Sequence, residues 1–241
     1  MTLVLVPVYL AARPLGRRPR RAVAAAWFRA GCALSGLVVT RRGAPCAGRR
    51  VMYASNHVSY LDIPVIGAAA EGTFVAKSEV AGWPLFGYLA KLADTVFIRR
   101  DPKEAARQRT ELARRLGRGE RLILFPEGTT SIGRRVLPFR SSLMAVAEDD
   151  GLADDLMVQP VSIAYRRYAD GRLLYDRNAS LYAWHGDATL LPHLLTVFGL
   201  RGAQVVLTFH DPVRARDFAD RKALARHCEG VVERGVYGIA G

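Results

Sequence analysis

His57 and Asp62, in the run Asn56-His57-Val58-Ser59-Tyr60-Leu61-Asp62, are residues whose types could move a proton. An imidazole is largely neutral near physiological pH and can take a proton from a hydroxyl. A carboxylate on its other nitrogen fixes the tautomer and stabilises the imidazolium that results. Helix partners on one face sit three or four residues apart, so these two can meet only if His57 stands at or before a helix's first turn. The same residues also suit a histidine at a helix start with an unrelated aspartate behind it. A second cluster, Phe125-Pro126-Glu127-Gly128-Thr129-Thr130-Ser131, ends an apolar run in a polar turn. There Gly128 admits a close backbone approach or a positive φ, and Glu127 with the hydroxyls offers hydrogen bonds to a polar ligand. Between the two lies Val96-Phe97-Ile98-Arg99-Arg100, whose arginines strand alternation sends to opposite faces. An inward arginine fits a phosphate or carboxylate through its planar fork, and a solvent-exposed pair is the plain alternative.

These clusters need elements to hold them. From residue 49 onward, short β-branched or aromatic runs alternate with helical patterns, which predicts an α/β domain. Strands are expected over 51–55, 73–77, 95–99, 121–125, 158–164 and 204–210. Helices are expected over 62–70, 101–116, 142–148, 187–198 and 217–234, with Pro192 set to kink the one that contains it. Asp101-Pro102-Lys103-Glu104 reads as a helix start, with Asp as cap, Pro in the first position and Glu reaching back. The His57 cluster thus falls where a strand ends and a helix begins, the place where α/β sheets build sites.

The net charge is +13 over 241 residues, which implies anionic partners. Half the residues are hydrophobic and 24% are charged, which excludes a disordered chain. Cys32, Cys46 and Cys228 have unrelated spacings with no CxxC, so inert thiols in a reducing compartment are expected rather than a zinc site. Residues 3–12 are apolar and precede Arg13, Arg17, Arg18, Arg20 and Arg21, the reverse of a secretory signal. A second apolar stretch, 22–39, carries Arg29 in its middle and arginines on both flanks, whereas a spanning helix shows charge bias to one side. An arginine at mid-bilayer costs at least about 2.5 kcal/mol. The stretch therefore reads as a helix lying in a membrane interface, with Trp27, Phe28 and Leu34 toward acyl chains. A helix packed on the domain's own core is the alternative. The organisation expected is a membrane-associated helical segment over 1–48 and a catalytic domain over 49–241.

In order and placement the blocks resemble the glycerolipid acyltransferase family, bacterial 1-acylglycerol-3-phosphate acyltransferases in particular. The first block stands as Asn56-His57-Val58-Ser59-Tyr60-Leu61-Asp62, the second as Phe97-Ile98-Arg99-Arg100, the third as Phe125-Pro126-Glu127-Gly128-Thr129, and the fourth as Val158-Gln159-Pro160-Val161. The stretch from Phe74-Val75-Ala76-Lys77-Ser78-Glu79 through Trp83-Pro84 and Gly87 is similar to the family's segment between the first two blocks. In all, the resemblance spans residues 51–165. It implies an α/β fold, a mixed sheet flanked by helices, with the N-terminal membrane-associated helical segment. It also implies transfer of a fatty acyl group from acyl-CoA or acyl carrier protein to the free hydroxyl of 1-acyl-sn-glycerol-3-phosphate, giving phosphatidate. His57 would be the general base and Asp62 its orienting partner, with no covalent acyl-enzyme, because the acceptor hydroxyl is the nucleophile. Arg100, Glu127, Gly128, Thr129 and Lys77 would bind the acceptor, and Asn56, Ser59, Phe97 and Pro126 would shape the site. The resemblance implies no metal and no cofactor beyond the thioester donor. The partners it implies are lipids of an anionic bilayer surface, the donor and the lyso-lipid acceptor. The implied location is the cytoplasmic face of the inner membrane, as a peripheral or monotopic protein.

Where the family's third block commonly continues Gly-Thr-Arg-Ser, this chain has Gly128-Thr129-Thr130-Ser131. With Val136-Leu137-Pro138-Phe139-Arg140-Ser141 and Tyr182-Ala183-Trp184-His185-Gly186-Asp187, that departure is similar to the branch that includes lyso-ornithine lipid acyltransferases, whose acceptor has no phosphate. The glycerol-phosphate acceptor keeps first place on the cationic Arg100 and Lys77. A non-catalytic lipid-binding homologue is the reading from another class, and the intact His57 and Asp62 argue against it. Nucleic-acid binding, which the charge invites, lacks a zinc-finger spacing, a single-strand-binding aromatic motif or a basic heptad region. His185, His193, His210 and His227 are scattered and expected in surface or supporting roles.

Overall fold

The runs Val51–Ser55 and Leu122–Leu124 are buried at every residue, as strands covered on both faces must be. They sit in the middle of the structure, a computed structural model that describes residues 2–238 apart from 13, 15, 85, 100, 134, 169, 173, 175–180, 187 and 201. The helices are α1 (Thr2–Ala11), α2 (Arg17–Leu34), α3 (Asp62–Ala69), α4 (Phe86–Leu92), α5 (Ala105–Gly117), α6 (Leu190–Gly199) and α7 (Arg221–Tyr237). The strands are β1 (Val38–Arg42), β2 (Val51–Ser55), β3 (Thr73–Lys77), β4 (Val96–Ile98), β5 (Leu122–Leu124), β6 (Met157–Tyr168), β7 (Ala203–Phe209) and β8 (Val213–Arg214). They form one sheet in the order β1-β7-β6-β2-β5-β3-β4, with β8 paired to β6. Pairing is antiparallel at β6–β7 and β6–β8 and parallel elsewhere, so the α/β fold has the mixed sheet that was expected.

Alternation along the strands splits the core into two layers. Met52, Leu122 and Val158 face α5, the 3-10 segment Ser141–Glu148 and α7. Tyr53, Ile123 and Ile163 face the other way, onto Phe28 and Cys32 of α2, Val65 and Ile66 of α3, and Val197 of α6. Because β2, β5, β3 and β4 are parallel, all of them end on one side of the molecule, and the residues that follow them converge there.

Local physics accounts for the places where elements differ from expectation. The apolar stretch 22–39 is not one helix: α2 stops at Leu34 in a Schellman turn, with Leu37 N–H bonded to Cys32 C=O, Gly36 N–H bonded to Ala33 C=O, and Gly36 at φ +66°. The chain then enters β1, which pairs with β7 in the central sheet. Phe28 does not reach outward. Its ring lies in the core against α3, where Gly67 leaves room: a Cβ there would come within 2.5 Å of the ring. Trp27 packs on the same core and Leu34 is exposed. Pro192 does not kink α6, because it falls in the first turn, where its missing N–H would have had no helical partner. Residues 142–148 form a 3-10 segment rather than an α-helix, and Asp101 caps only the 3-10 turn Pro102–Glu104 ahead of α5. Asp220 caps α7 by accepting from Ala223 N–H at 2.7 Å, which puts residues 217–220 outside that helix. Among the described residues, no helix is long and apolar enough to cross a membrane.

If α2 is part of the core, Phe28→Ala should lower unfolding stability by about 3 kcal/mol or more. Denaturant unfolding of the two proteins would check this, and equal midpoints would place the ring outside the core.

Candidate active site

β2 ends at Ser55, and the chain runs through Asn56 to Leu61 before α3 begins at Asp62. In that loop the backbone turns back on the helix's first residue. Asp62 Oδ2 accepts from Val58 N–H at 2.6 Å and Ser59 N–H at 2.9 Å, and lies 2.8 Å from His57 Nδ1. The other oxygen, Oδ1, accepts from Tyr165 O–H of β6 at 2.8 Å. This is how residues five apart come together: His57 stands before the helix and Asp62 opens it. The Asp62 side chain is 0% exposed and that of His57 is 18% exposed, so the imidazole alone of the pair reaches the surface.

The His57 peptide is clamped from the third block. Its N–H donates to Glu127 Oε1 at 2.8 Å, and its C=O accepts from Ser131 N–H at 2.8 Å. Its ring stacks on Phe125 with centroids 4.0 Å apart and planes at 16°. Glu127 Oε2 accepts from Leu137 N–H at 3.2 Å, so both oxygens are taken by backbone amides and the residue is buried. Glu127 thus brackets the two loops through the backbone amides of His57 and Leu137. Burial pushes its carboxyl up to about 8 against the pull of those two amides.

Of the remaining residues singled out in the sequence, Asn56 is buried and grips β6 twice, accepting from Ile163 N–H at 2.8 Å and donating to Ile163 C=O at 2.9 Å. Ser59 is buried, and its Oγ has no hydrogen-bond partner among the described residues. Pro126 is buried, and its C=O accepts from Arg140 N–H at 2.9 Å. Gly128 has φ +68°, the left-handed turn its residue type permits, and Thr129 beside it is exposed. Phe97 is half-buried on β4. Lys77 and Arg99 are exposed where β3 and β4 end, on the side of the sheet that carries His57. Arg100 lies outside the described residues. Among those described, no three His, Cys, Asp or Glu side chains gather as a metal-ligand set.

Two contributors were not found in the sequence. Tyr165 stands 103 residues from Asp62 and meets it only because β6 lies beside β2. Burial first, and then the neighbouring Asp62 carboxyl, hold its hydroxyl well above the ordinary tyrosine value, so it remains a donor. An aromatic group flanks the loop on the other side. Tyr60 packs edgewise on Trp184 at 6.0 Å and lies 6.5 Å from Phe86, and Trp83 packs edgewise on Trp184 at 5.2 Å. Tyr60 Oη is 3.1 Å from His193 Nδ1, and Trp184 N–H donates to Val58 C=O at 3.0 Å. A tyrosine or tryptophan among apolar residues carries no spacing signal for such a role.

Comparison with known proteins gives the family. The family model described as "Acyltransferase" matches residues 37–164. The lyso-ornithine lipid O-acyltransferase of Rhizobium meliloti is 37% identical over 230 residues, covering 94% of this chain and 78% of that protein. A 1-acyl-sn-glycerol-3-phosphate acyltransferase of Neisseria gonorrhoeae is 38% identical over 111 residues, covering 46% of this chain and 44% of that protein. The crystal structure of the 1-acyl-sn-glycerophosphate (LPA) acyltransferase PlsC from Thermotoga maritima has the same fold, with a TM-score of 0.69 at 22% identity over 99% of this chain and 95% of that one. The chain belongs to the acyltransferase family and is an enzyme of acyl transfer.

The raised Glu127 carboxyl has a consequence for stability. From its ordinary value of 4.5 up to about 8, the unfolded chain loses this proton while the folded one keeps it. Stability that is full at low pH should therefore fall across that window and level off above it. Glu127→Gln should flatten the fall in the melting temperature, whereas curves that stay parallel would mean the carboxyl is not held up.

Proposed function

We propose that the enzyme transfers a fatty acyl group from a thioester donor, acyl-CoA or acyl carrier protein, to the free hydroxyl of a lyso-ornithine lipid. The observation that carries the chemistry is His57 Nδ1 at 2.8 Å from a fully buried Asp62. With Nδ1 committed to Asp62, Nε2 is the nitrogen that takes the acceptor's proton as its oxygen attacks the thioester carbonyl. An ester C–O bond forms, the C–S bond breaks, and the proton on His57 passes to the departing thiolate. Asp62 keeps the ring in one orientation and stabilises its charged form, and the Phe125 stack limits how far it can tilt.

Two features support the acceptor. The relatives named lyso-ornithine lipid O-acyltransferases align with 77% to 95% of the chain, whereas the relatives named 1-acyl-sn-glycerol-3-phosphate acyltransferases align with less than half. In addition, Thr130 stands where the third block of the family it resembles commonly has arginine, and losing that cation weakens the case for a phosphate-bearing acceptor. A second reading, 1-acyl-sn-glycerol-3-phosphate as acceptor, is favoured by the exposed Lys77 and Arg99 at the strand ends beside the site. Both acceptors are lipids, and with the charge of +13 they support a location at an anionic membrane surface.

The test is acyl transfer by purified protein in mixed micelles, with labelled acyl-CoA or acyl carrier protein and both acceptors side by side. His57→Ala should lose about 10²- to 10⁴-fold in rate while its circular dichroism is unchanged. Retention of most activity would remove His57 as the base. Product from lyso-ornithine lipid alone is the expected outcome, and product from lysophosphatidate alone would replace it with the second reading.

A further inference from the structure

Leu191, Leu195 and Phe198 of α6 are 65%, 64% and 51% exposed. Their spacing of four and then three residues puts them on one side of the helix. From Leu190 to Leu200 the sequence has no ionisable side chain except His193, which is unusual for a helix with so much of its surface uncovered. The opposite side of α6 is firmly held. Val197 is fully buried in the core, and His193 is bonded to Tyr60 of the catalytic loop. At its end Gly202, with φ +91°, lies so close to the Gly36 carbonyl that no Cβ fits. Leu34 and Val38 flank that contact and are 62% and 59% exposed. The apolar residues of α6 and of the α2–β1 turn thus meet at one junction.

We propose that α6 docks this part of the molecule on an anionic bilayer, with Leu191, Leu195 and Phe198, joined by Leu34 and Val38, entering the boundary between headgroups and acyl chains. A helix Leu190–Gly199 is about 15 Å long, too short to span, and so lies in the plane of the interface. Lys77 and Arg99, exposed at the ends of β3 and β4, supply cations toward the headgroups on the side of the sheet that carries the site. A second copy of the chain is the poorer occupant, because three side chains and a turn fall well short of the roughly 1,200 Å² that a stable protein interface buries. Through the Tyr60–His193 bond the docked helix is tied directly to the loop that holds His57. The choice of a bilayer rests on the lipid acceptor proposed above.

The experiment is co-sedimentation of the full chain with vesicles of phosphatidylcholine and phosphatidylglycerol, read without donor or acceptor, so that it stands or falls separately from the acyl-transfer assay. The triple variant Leu191→Gln/Leu195→Gln/Phe198→Gln should partition at least about tenfold more weakly at the same melting temperature, and methionine at the three positions should restore partition. Sedimentation velocity of both proteins without vesicles accompanies it. Unchanged partition in the glutamine variant would overturn the proposal, as would a dimer in the wild type that the variant breaks.

Discussion

The Asp62 carboxyl sits at the start of α3 with no solvent contact and with partners on both oxygens: the amides of Val58 and Ser59, the Tyr165 hydroxyl and the His57 ring. Taking a carboxylate out of water without such partners costs several kcal/mol, so the loop's shape and the carboxyl's burial are each a condition of the other. Three elements have to be in place at once. β2 must end at Ser55, α3 must begin at Asp62, and β6 must lie beside β2 and run on past it far enough to present Tyr165. The paired grip of Asn56 on Ile163 locks that neighbouring strand in register.

The second loop is joined to the first through the backbone of His57 rather than through its ring. Glu127 takes the N–H and Ser131 supplies a donor to the C=O, so the imidazole's position is set from both loops. Burial pushes the Glu127 carboxyl up to about 8, and its two oxygens serve the backbone amides of His57 and Leu137. The loop needs Gly128 at positive φ to make this turn after Pro126. These residues are therefore held by the geometry of the fold whatever the acceptor is.

The N-terminal region combines roles that its composition alone would separate. α2 turns Phe28 into the core against the bare backbone of Gly67, and its own start is tied to the sheet's far end by Arg20 with Asp94 and Arg21 with Glu71. Exposed ion pairs of this kind add little stability, so the ring's burial is the main attachment of the helix. At its other end α2 meets α6 through paired glycines, beside the site.

Strands β2 to β7 were legible because alternation and short β-branched runs report burial directly, and the meeting of His57 with Asp62 was legible because both lie in one block at a strand-to-helix boundary. The α/β class follows from the same local rules. What local pattern could not supply was anything carried by strand order. Tyr165 reaches Asp62 only across the β2–β6 pairing, β1 joins the sheet by pairing with β7 rather than extending an apolar helix, and His193 meets Tyr60 only because α6 folds back over the loop. The apolar stretch 22–39 looked like one helix because hydropathy does not register a left-handed glycine at 36, and Phe28 looked lipid-facing because its partner, the missing side chain of Gly67, is a feature of another helix. Sequence thus determined which residues have the chemistry and where strands give way to helices. Tertiary structure decided which of them are buried and bonded, since burial and long-range hydrogen bonds depend on distances that only the assembled sheet defines.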